Sequence, residues 1–114
     1  VYLEVRGDSM EPDYPDGCLL ACGRPAGKVR NLTPVIARVG DEATFKLFSA
    51  GMNAYGKAEV LLIPINRIEH GIQHYRPVEV KVDYVVLGFV NPWKHGAERA
   101  GGTVLRRGDG DVEV

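Results

Sequence analysis

The pattern of hydrophobic and polar positions along the chain is that of a protein built mostly from β-strands. Short apolar or alternating segments, rich in valine and isoleucine, are separated by the glycine, proline and aspartate clusters that are typical of turns. No segment has the periodicity of a helix longer than about two turns. The pattern predicts seven short strands, at 1–5, 18–22, 34–39, 42–48, 59–64, 78–82 and 84–90. The predicted fold class is therefore mostly β, with little helix.

The clearest local prediction is a tight hairpin at Gly40 and Asp41. These two residues separate the strand patterns at 34–39 and 42–48, and a glycine in the first position favours a type II′ turn. We therefore expect these two strands to pair with each other.

On the second strand of this hairpin, side chains alternate between two faces. Thr44, Lys46 and Phe48 are expected on one face, and Phe45 belongs to the other. Lys46 is therefore expected in an interior position, with apolar neighbours such as Phe45 and Phe48 that limit its contact with water.

The remaining segments divide the chain into a domain and an extension. The stretches 49–57 and 65–77 are predicted to be a loop and an irregular region. We expect one domain at 1–92, followed by a C-terminal extension at 93–114 that is rich in glycine and charge. Within the extension, 103–107 could form a terminal strand, and disorder is an equal alternative.

Length and charge exclude several classes of protein. A chain of 114 residues with 45% apolar and 25% charged residues is typical of one soluble globular domain. A formal net charge of −1 argues against a nucleic-acid surface within these residues. The sequence also has no apolar run long enough for a membrane span and no signal peptide, so we expect a cytoplasmic protein without a membrane partner.

The two cysteines, Cys18 and Cys22, are expected to be reduced. In a strand, a spacing of four residues separates their Cα atoms by roughly 13 Å, which is too far for a disulfide. Half-buried thiols of this kind are usual in a cytosolic protein.

A serine stands at a corner of the chain that could support nucleophilic chemistry. Ser9 follows the first predicted strand, and Pro12 forces the backbone out of that strand soon afterwards. Such a corner can present a hydroxyl with backbone N–H groups beside it. The N–H groups of Asp8 and Ser9 are the natural donors of an oxyanion hole. A serine is nonetheless only a candidate until a base is found.

Lys46 is the better candidate for that base. The histidines fit poorly, because His70 and His74 lie in the irregular stretch and His95 lies in the extension. His70 and His74 could instead share a helix face as metal ligands, but no third ligand stands at a suitable spacing. A lysine can act as the base if burial lowers its pKa from about 10.4 towards 7, which takes on the order of 4 kcal/mol.

Several motifs of the chain resemble those of the LexA-type S24 peptidase family. The similar segments are Gly-Asp-Ser-Met-Glu-Pro at 7–12, the Asp-Gly pair at 16–17 that opens an apolar strand, and Thr-Phe-Lys at 44–46. Further along, 62–66 resembles the family's Pro-x-Asn segment and 85–90 its final strand.

The resemblance extends over about residues 1–92 and implies a set of roles. The separation of Ser9 and Lys46 matches that of the family's nucleophile and lysine, so Ser9 would be the nucleophile and Lys46 the general base. The backbone N–H groups of Asp8 and Ser9 would form the oxyanion hole, and Met10 would contact the substrate. The implied fold is the compact β-fold of LexA and signal peptidase, with no cofactor and no metal.

The resemblance also implies a function. The domain would cut its own polypeptide upstream of the catalytic residues, stimulated by RecA filaments, as part of a LexA-like or CI-like transcriptional repressor. It would form a homodimer, and it would contact DNA only through an N-terminal domain outside this chain.

Three alternatives stay open at this point. The chain could be a UmuD-like subunit of lesion-bypass DNA synthesis that processes itself, or a catalytically idle dimerisation module with the same fold. Signal peptidase I also combines Ser-Met with a lysine, but it requires a membrane-facing surface, and the segment 35–48 fits the S24 pattern better.

Overall fold

The computed structural model describes residues 1–90 and the backbone of one further short strand, Val112–Glu113. Among these residues the only helical element is a 3-10 turn, Pro77–Glu79. The prediction of a mostly β fold with little helix is confirmed. The eight strands are β1 (Tyr2–Arg6), β2 (Leu19–Gly23), β3 (Thr33–Val39), β4 (Glu42–Met52), β5 (Ala58–Ile63), β6 (Gln73–Tyr75), β7 (Val80–Val90) and β8 (Val112–Glu113).

The strands form a single curled sheet that closes on itself. Its order is β3-β7-β2-β1-β8-β4-β5-β6, and an additional pairing between β3 and β4 completes a ring of strands. Strands β5 and β6 extend from β4 outside that ring. The first seven strands pair antiparallel, whereas β8 runs parallel to both β1 and β4.

The hairpin between β3 and β4 forms as the sequence predicts. Val39 pairs with Glu42 across a two-residue turn. Gly40 has a φ of 60° and Asp41 is not in the positive-φ region, which is the combination that a type II′ turn requires. This turn sets the register that places Lys46 in the middle of the sheet.

Apolar side chains on the two faces of the sheet form two separate clusters. The first cluster contains Leu3, Val5, Met10, Cys18, Leu20, Cys22, Ile36 and Phe45. The second contains Val35, Ala37, Val60 and Leu62, with Phe48 packed against it. Strand β4 contributes to both, because its successive side chains point in opposite directions.

The predicted strands at 78–82 and 84–90 are joined in one continuous strand, β7, but residues 78 and 79 belong to the 3-10 turn that precedes it. Asp83, which lies between the two predicted strands, stands at a β-bulge where the pairing with β3 shifts by one residue. Its buried carboxylate accepts a hydrogen bond from Nε of Arg38 at 3.1 Å, and the guanidinium approaches to 2.8 Å. This ion pair allows an acidic residue to stand inside the strand.

Two further predictions about elements are wrong in detail. Strand β4 continues to Met52, into the expected loop at 49–57, because its second half pairs with β5. The expected irregular stretch at 65–77 contains the short strand β6, which pairs with the other edge of β5. A strand of three exposed or half-buried residues leaves no alternation for sequence reasoning to detect.

Two remaining predictions concern the cysteines and the extension. Cys18 and Cys22 are both buried and free, as expected. The possible strand at 103–107 lies outside the described residues. Strand β8 belongs to the expected C-terminal extension.

Candidate active site

The corner that holds Ser9 begins where β1 ends. Gly7 has a φ of 95°, a conformation that glycine adopts without a steric penalty. Its N–H donates a hydrogen bond of 2.7 Å to Oδ1 of Asp16, and the N–H of Gly17 donates to the carbonyl of Val5 at 2.9 Å. The loop after the corner therefore folds back and fixes the point at which the chain leaves β1.

The corner continues as two overlapping turns. The N–H of Glu11 donates to the carbonyl of Asp8 at 3.1 Å, and that of Tyr14 donates to the carbonyl of Met10 at 2.9 Å. Met10 is fully buried in the first core cluster. The structure thus places Met10 beneath the corner as a packing residue, and its expected contact with a substrate stays a prediction.

The hydroxyl of Ser9 is buried and has no hydrogen-bond partner among the residues that the structure describes. Ser9 itself has no exposed surface. An unpaired buried hydroxyl costs about 1–3 kcal/mol, and native proteins keep few of them. Such a group calls for an explanation, and a catalytic role is one that would account for it.

The backbone of the corner presents donors as well. The carbonyls of Asp8 and Ser9 both accept hydrogen bonds, whereas their N–H groups donate none within the described part of the chain. These two groups are the ones that the sequence predicts as the oxyanion hole. Their availability is compatible with that role, which stays a prediction.

Lys46 lies in a buried position in the middle of β4. Only 7% of its surface is exposed, and it stands directly opposite Val35 of β3, which is fully buried in the second cluster. Its Nζ donates a hydrogen bond of 2.7 Å to Oγ1 of Thr44. The apolar surroundings on this face come from Val35 and Phe48, since Phe45 packs on the opposite face.

A pocket of about 290 Å³ opens beside Lys46. Its wall includes Thr44 of the same strand and His70 from the segment between β5 and β6. The ring nitrogen Nε2 of His70 lies 2.7 Å from Oδ1 of Asp8. The residue next to Ser9 therefore contacts the wall of the pocket that contains Lys46.

Strand β8 lies between the two strands that carry the candidate residues. Glu113 is level with Arg6 of β1 on one side and with Thr44 of β4 on the other, and all three strands run in the same direction. Ser9 follows Arg6 in the chain, and Lys46 follows Thr44. Both candidates therefore lie beyond the same end of β8.

Ser9 and Lys46 do not share a hydrogen bond in this structure, because Oγ of Ser9 has no partner among the described residues. Catalytic hydrogen bonds are often long before a substrate is bound, and they shorten in the complex. The pairing of Ser9 with Lys46 accordingly stays a prediction, made on two residues that lie beyond the same end of β8.

The segment from Asn66 to His70 is a part of the site whose role sequence reasoning missed. The N–H of Asn66 donates to the carbonyl of Ser9 at 2.9 Å, and its side-chain Nδ2 donates to the carbonyl of Asp8 at 3.2 Å. The Pro-x-Asn motif was a signal for Asn66, but no pattern pointed to His70. The metal-site alternative paired His70 with His74, which instead contacts Glu59 at 3.0 Å.

Comparisons with known proteins add one finding. The family model described as Peptidase S24-like matches residues 1–89 of the chain. A search of curated proteins finds no match. Within the described part of the chain, no helix has the length and apolar character needed to cross a membrane.

Proposed function

The chain belongs to the Peptidase S24-like family, and on that basis we propose that it is a serine peptidase domain with a Ser-Lys dyad. Ser9 is the nucleophile and Lys46 is the general base. The backbone N–H groups of Asp8 and Ser9 stabilise the oxyanion.

The observation that carries this proposal is the state of the Ser9 hydroxyl. It is buried, it has no hydrogen-bond partner among the described residues, and the N–H groups of Asp8 and Ser9 beside it donate no hydrogen bond there either. A purely structural serine at such a position would be expected to satisfy its hydroxyl. A nucleophile needs a hydroxyl that is free to meet a base and a carbonyl carbon.

In the first half of the reaction, Oγ of Ser9 attacks the carbonyl carbon of a peptide bond while its proton passes to the neutral Nζ of Lys46. The negative charge on the carbonyl oxygen is held by the two backbone N–H groups. When the tetrahedral intermediate collapses, Lys46 returns the proton to the departing amine. An ester on Ser9 remains.

In the second half, a water molecule takes the place of the amine. Lys46 removes its proton, the hydroxide attacks the ester carbonyl, and the acid product leaves as Ser9 regains its proton. The same two residues therefore serve both halves, as in other hydrolases that form a covalent intermediate.

The environment of Lys46 supports its part in this scheme. Lys46 is only 7% exposed and stands opposite the buried Val35, and burial against apolar neighbours is how a lysine can come to act as a base. The hydroxyl of Thr44 accepts a hydrogen bond from Nζ and orients it. Burial and this hydrogen bond are typical of a general base and not of a solvated lysine at the surface.

We further propose that the substrate is a segment of the same polypeptide, upstream of Ser9. The support is the resemblance of the motifs around Ser9 and Lys46 to LexA-like and CI-like repressors. In this proposal the domain dimerises, cleaves itself in response to RecA filaments in the cytoplasm, and thereby inactivates a transcriptional repressor. A UmuD-like role in lesion bypass is the alternative within the family.

A catalytically idle dimerisation module is the second candidate. The observation in its favour is that Oγ of Ser9 and Nζ of Lys46 are not hydrogen-bonded in this structure. In that case Ser9 and Lys46 would be inherited features without a catalytic role.

The test uses the chain together with the natural sequence that precedes Val1, with and without RecA filaments on single-stranded DNA. We expect self-cleavage that stops in Ser9→Ala and in Lys46→Ala. The matched controls Ser49→Ala and Lys57→Ala, which lie on β4 and in the next turn, should cleave normally. If no variant or condition yields a cut, the idle module is the better description.

A further inference from the structure

The segment that follows β5 holds the Ser9 corner through three hydrogen bonds. The backbone N–H of Asn66 donates to the carbonyl of Ser9, its side-chain Nδ2 donates to the carbonyl of Asp8, and Nε2 of His70 meets the carboxylate of Asp8 at 2.7 Å. The N–H of His70 also donates to the carbonyl of Asn66 at 3.2 Å, which ties the two residues to each other. We call Asn66 and His70 the corner clamp.

The corner clamp acts on the peptide group that the oxyanion hole needs. The carbonyl of Asp8 and the N–H of Ser9 belong to one planar trans peptide unit, so they point in opposite directions. The bond from Asn66 to that carbonyl therefore fixes the direction of the Ser9 N–H. The contact from His70 fixes the side chain of Asp8. It therefore limits rotation of the peptide group between Asp8 and Ser9 from the Asp8 side.

We infer that His70 and Asn66 are positioning residues for the oxyanion hole at Ser9. This inference rests on the proposed peptidase function. It adds to that function the segment of the fold that holds the N–H donors of the oxyanion hole in position. His70 holds Asp8 from the wall of the pocket that contains Lys46, and it transfers no proton to or from the substrate.

The exposure of the pair indicates that it does not exist mainly for stability. The side chains of His70 and Asp8 are 34% and 49% exposed, and ion pairs at that exposure contribute little to folding. The pair of His70 and Asp8 matters because it lies next to the N–H group of Ser9. A small displacement of an oxyanion donor reduces the rate of the chemical step.

The chain provides a matched control for this inference. His74 lies in the same region and meets the carboxylate of Glu59 at 3.0 Å, with a side chain that is 61% exposed. This second pair has the same chemistry, but it joins β6 to β5 and makes no hydrogen bond or ion pair with the Ser9 corner within the described part of the chain. Replacing His74 therefore reproduces the loss of a surface pair without loosening the corner.

The test measures the rate at which a fluorophosphonate probe labels Ser9, since that reaction needs both the nucleophile and the oxyanion hole. For His70→Leu, and likewise for Asn66→Ala, we expect a fall of about tenfold, the scale of one lost hydrogen bond in the transition state. His70→Gln can still donate to Asp8 and should stay close to the unmodified rate. His74→Leu should leave the rate unchanged.

A double-mutant cycle identifies the partner of His70. In an Asp8→Ala background, His70→Leu should cause little further loss, because the contact is already gone. Equal and additive losses from the two changes would overturn the assignment of Asp8 as the partner. A loss in His74→Leu equal to that in His70→Leu would overturn the positioning role.

The pH dependence separates positioning from base catalysis. If Lys46 is the base, His70→Leu lowers the rate by the same factor across pH 7 to 10 and leaves the shape of the profile unchanged. A profile that loses its rise with pH in His70→Leu would assign the base to His70 and would overturn the inference.

One further measurement remains informative if the peptidase function itself is wrong. Hydrogen exchange of the backbone amide at residue 9 can be followed by NMR in a Ser9→Ala background. This measurement reports on the corner without any catalysis. The corner clamp predicts faster exchange at residue 9 in His70→Leu than in His74→Leu. Equal exchange in the two variants would overturn the clamp, whereas absent labelling of the unmodified protein would overturn only the peptidase.

Discussion

The amine of Lys46 donates a hydrogen bond to the hydroxyl of Thr44 at 2.7 Å, along one face of β4. The two side chains also share the wall of the pocket that His70 lines from the segment between β5 and β6. This relationship gives the candidate base a defined direction, which a buried position alone would not provide.

Removing the hydroxyl of Thr44 should therefore impair the base. Thr44→Val keeps a similar shape but removes the acceptor, so we expect self-cleavage to slow about tenfold, the scale of one hydrogen bond. Thr44→Ser retains the acceptor and should recover most of the rate. First-order rate constants of self-cleavage, measured at one pH, check this. A loss in Thr44→Ser with none in Thr44→Val would show that the methyl group, not the hydroxyl, is needed.

Met10 offers a test between packing and substrate contact. Its side chain is fully buried in the first core cluster, so Met10→Ala should cost about 2–5 kcal/mol of unfolding free energy. Met10→Leu conserves volume and should cost less than about 1.5 kcal/mol. Urea denaturation checks both values. If Met10→Leu keeps its stability but loses cleavage of the substrate, Met10 contacts the substrate after all.

The two thiols should be inert in the folded protein. Burial raises the pKa of Cys18 from 9.0 to about 12 and that of Cys22 to about 11, so thiolate is scarce at pH 8. We expect iodoacetamide to label neither residue until urea unfolds the chain. Fast labelling of either thiol in the native protein would contradict the burial that the structure shows.

The raised pKa values also predict how stability changes in alkali. Folding favours the protonated thiols, so their contribution to stability is complete below about pH 9. It is lost as the pH rises from 9 through the folded values of about 11 and 12. Cys22→Ala should reduce the part of this loss that belongs to Cys22, as measured by urea unfolding at pH 8 and pH 10. The same loss in the variant and in the unmodified protein would contradict it.

The pairing of strand β8 with β1 and β4 leads to a prediction about access to Ser9. Val112 and Glu113 pair with the end of β1, and Glu113 also pairs with Thr44 of β4. Val112→Pro removes a backbone N–H and disfavours this pairing, whereas Val112→Thr keeps both the N–H and the strand propensity. We expect fluorophosphonate to label Ser9 faster in Val112→Pro than in Val112→Thr. Equal rates would show that β8 does not limit access.

The fold could be predicted from the sequence wherever alternation and turn residues agreed. The hairpin at Gly40 and Asp41 is the best case, because a two-residue turn fixes both the register and the faces of β4. The predicted strands at 78–82 and 84–90 leave Asp83 out, and only its tertiary contact with Arg38 explains a buried acid inside β7. Such a compensation between distant residues leaves no local pattern.

The sequence predicts the candidate catalytic residues, but it does not predict the contacts that hold them in position. The sequence motifs identify Ser9 and Lys46 as a candidate nucleophile and base, and the structure places both in buried positions beyond the same end of β8. His70 was dismissed because it stands in a stretch without periodicity, yet that stretch brings it to the carboxylate of Asp8. Contacts made by irregular segments depend on the path of the chain, which periodicity does not encode.

The most direct test of the central claim is the pH dependence of self-cleavage in protein that carries its natural upstream sequence. If neutral Lys46 takes the proton from Ser9, the rate rises with pH between 7 and 10, and it disappears in Lys46→Ala while Lys57→Ala keeps the full profile. Cleavage that persists in Lys46→Ala, with the same rise with pH, would contradict the Ser-Lys dyad.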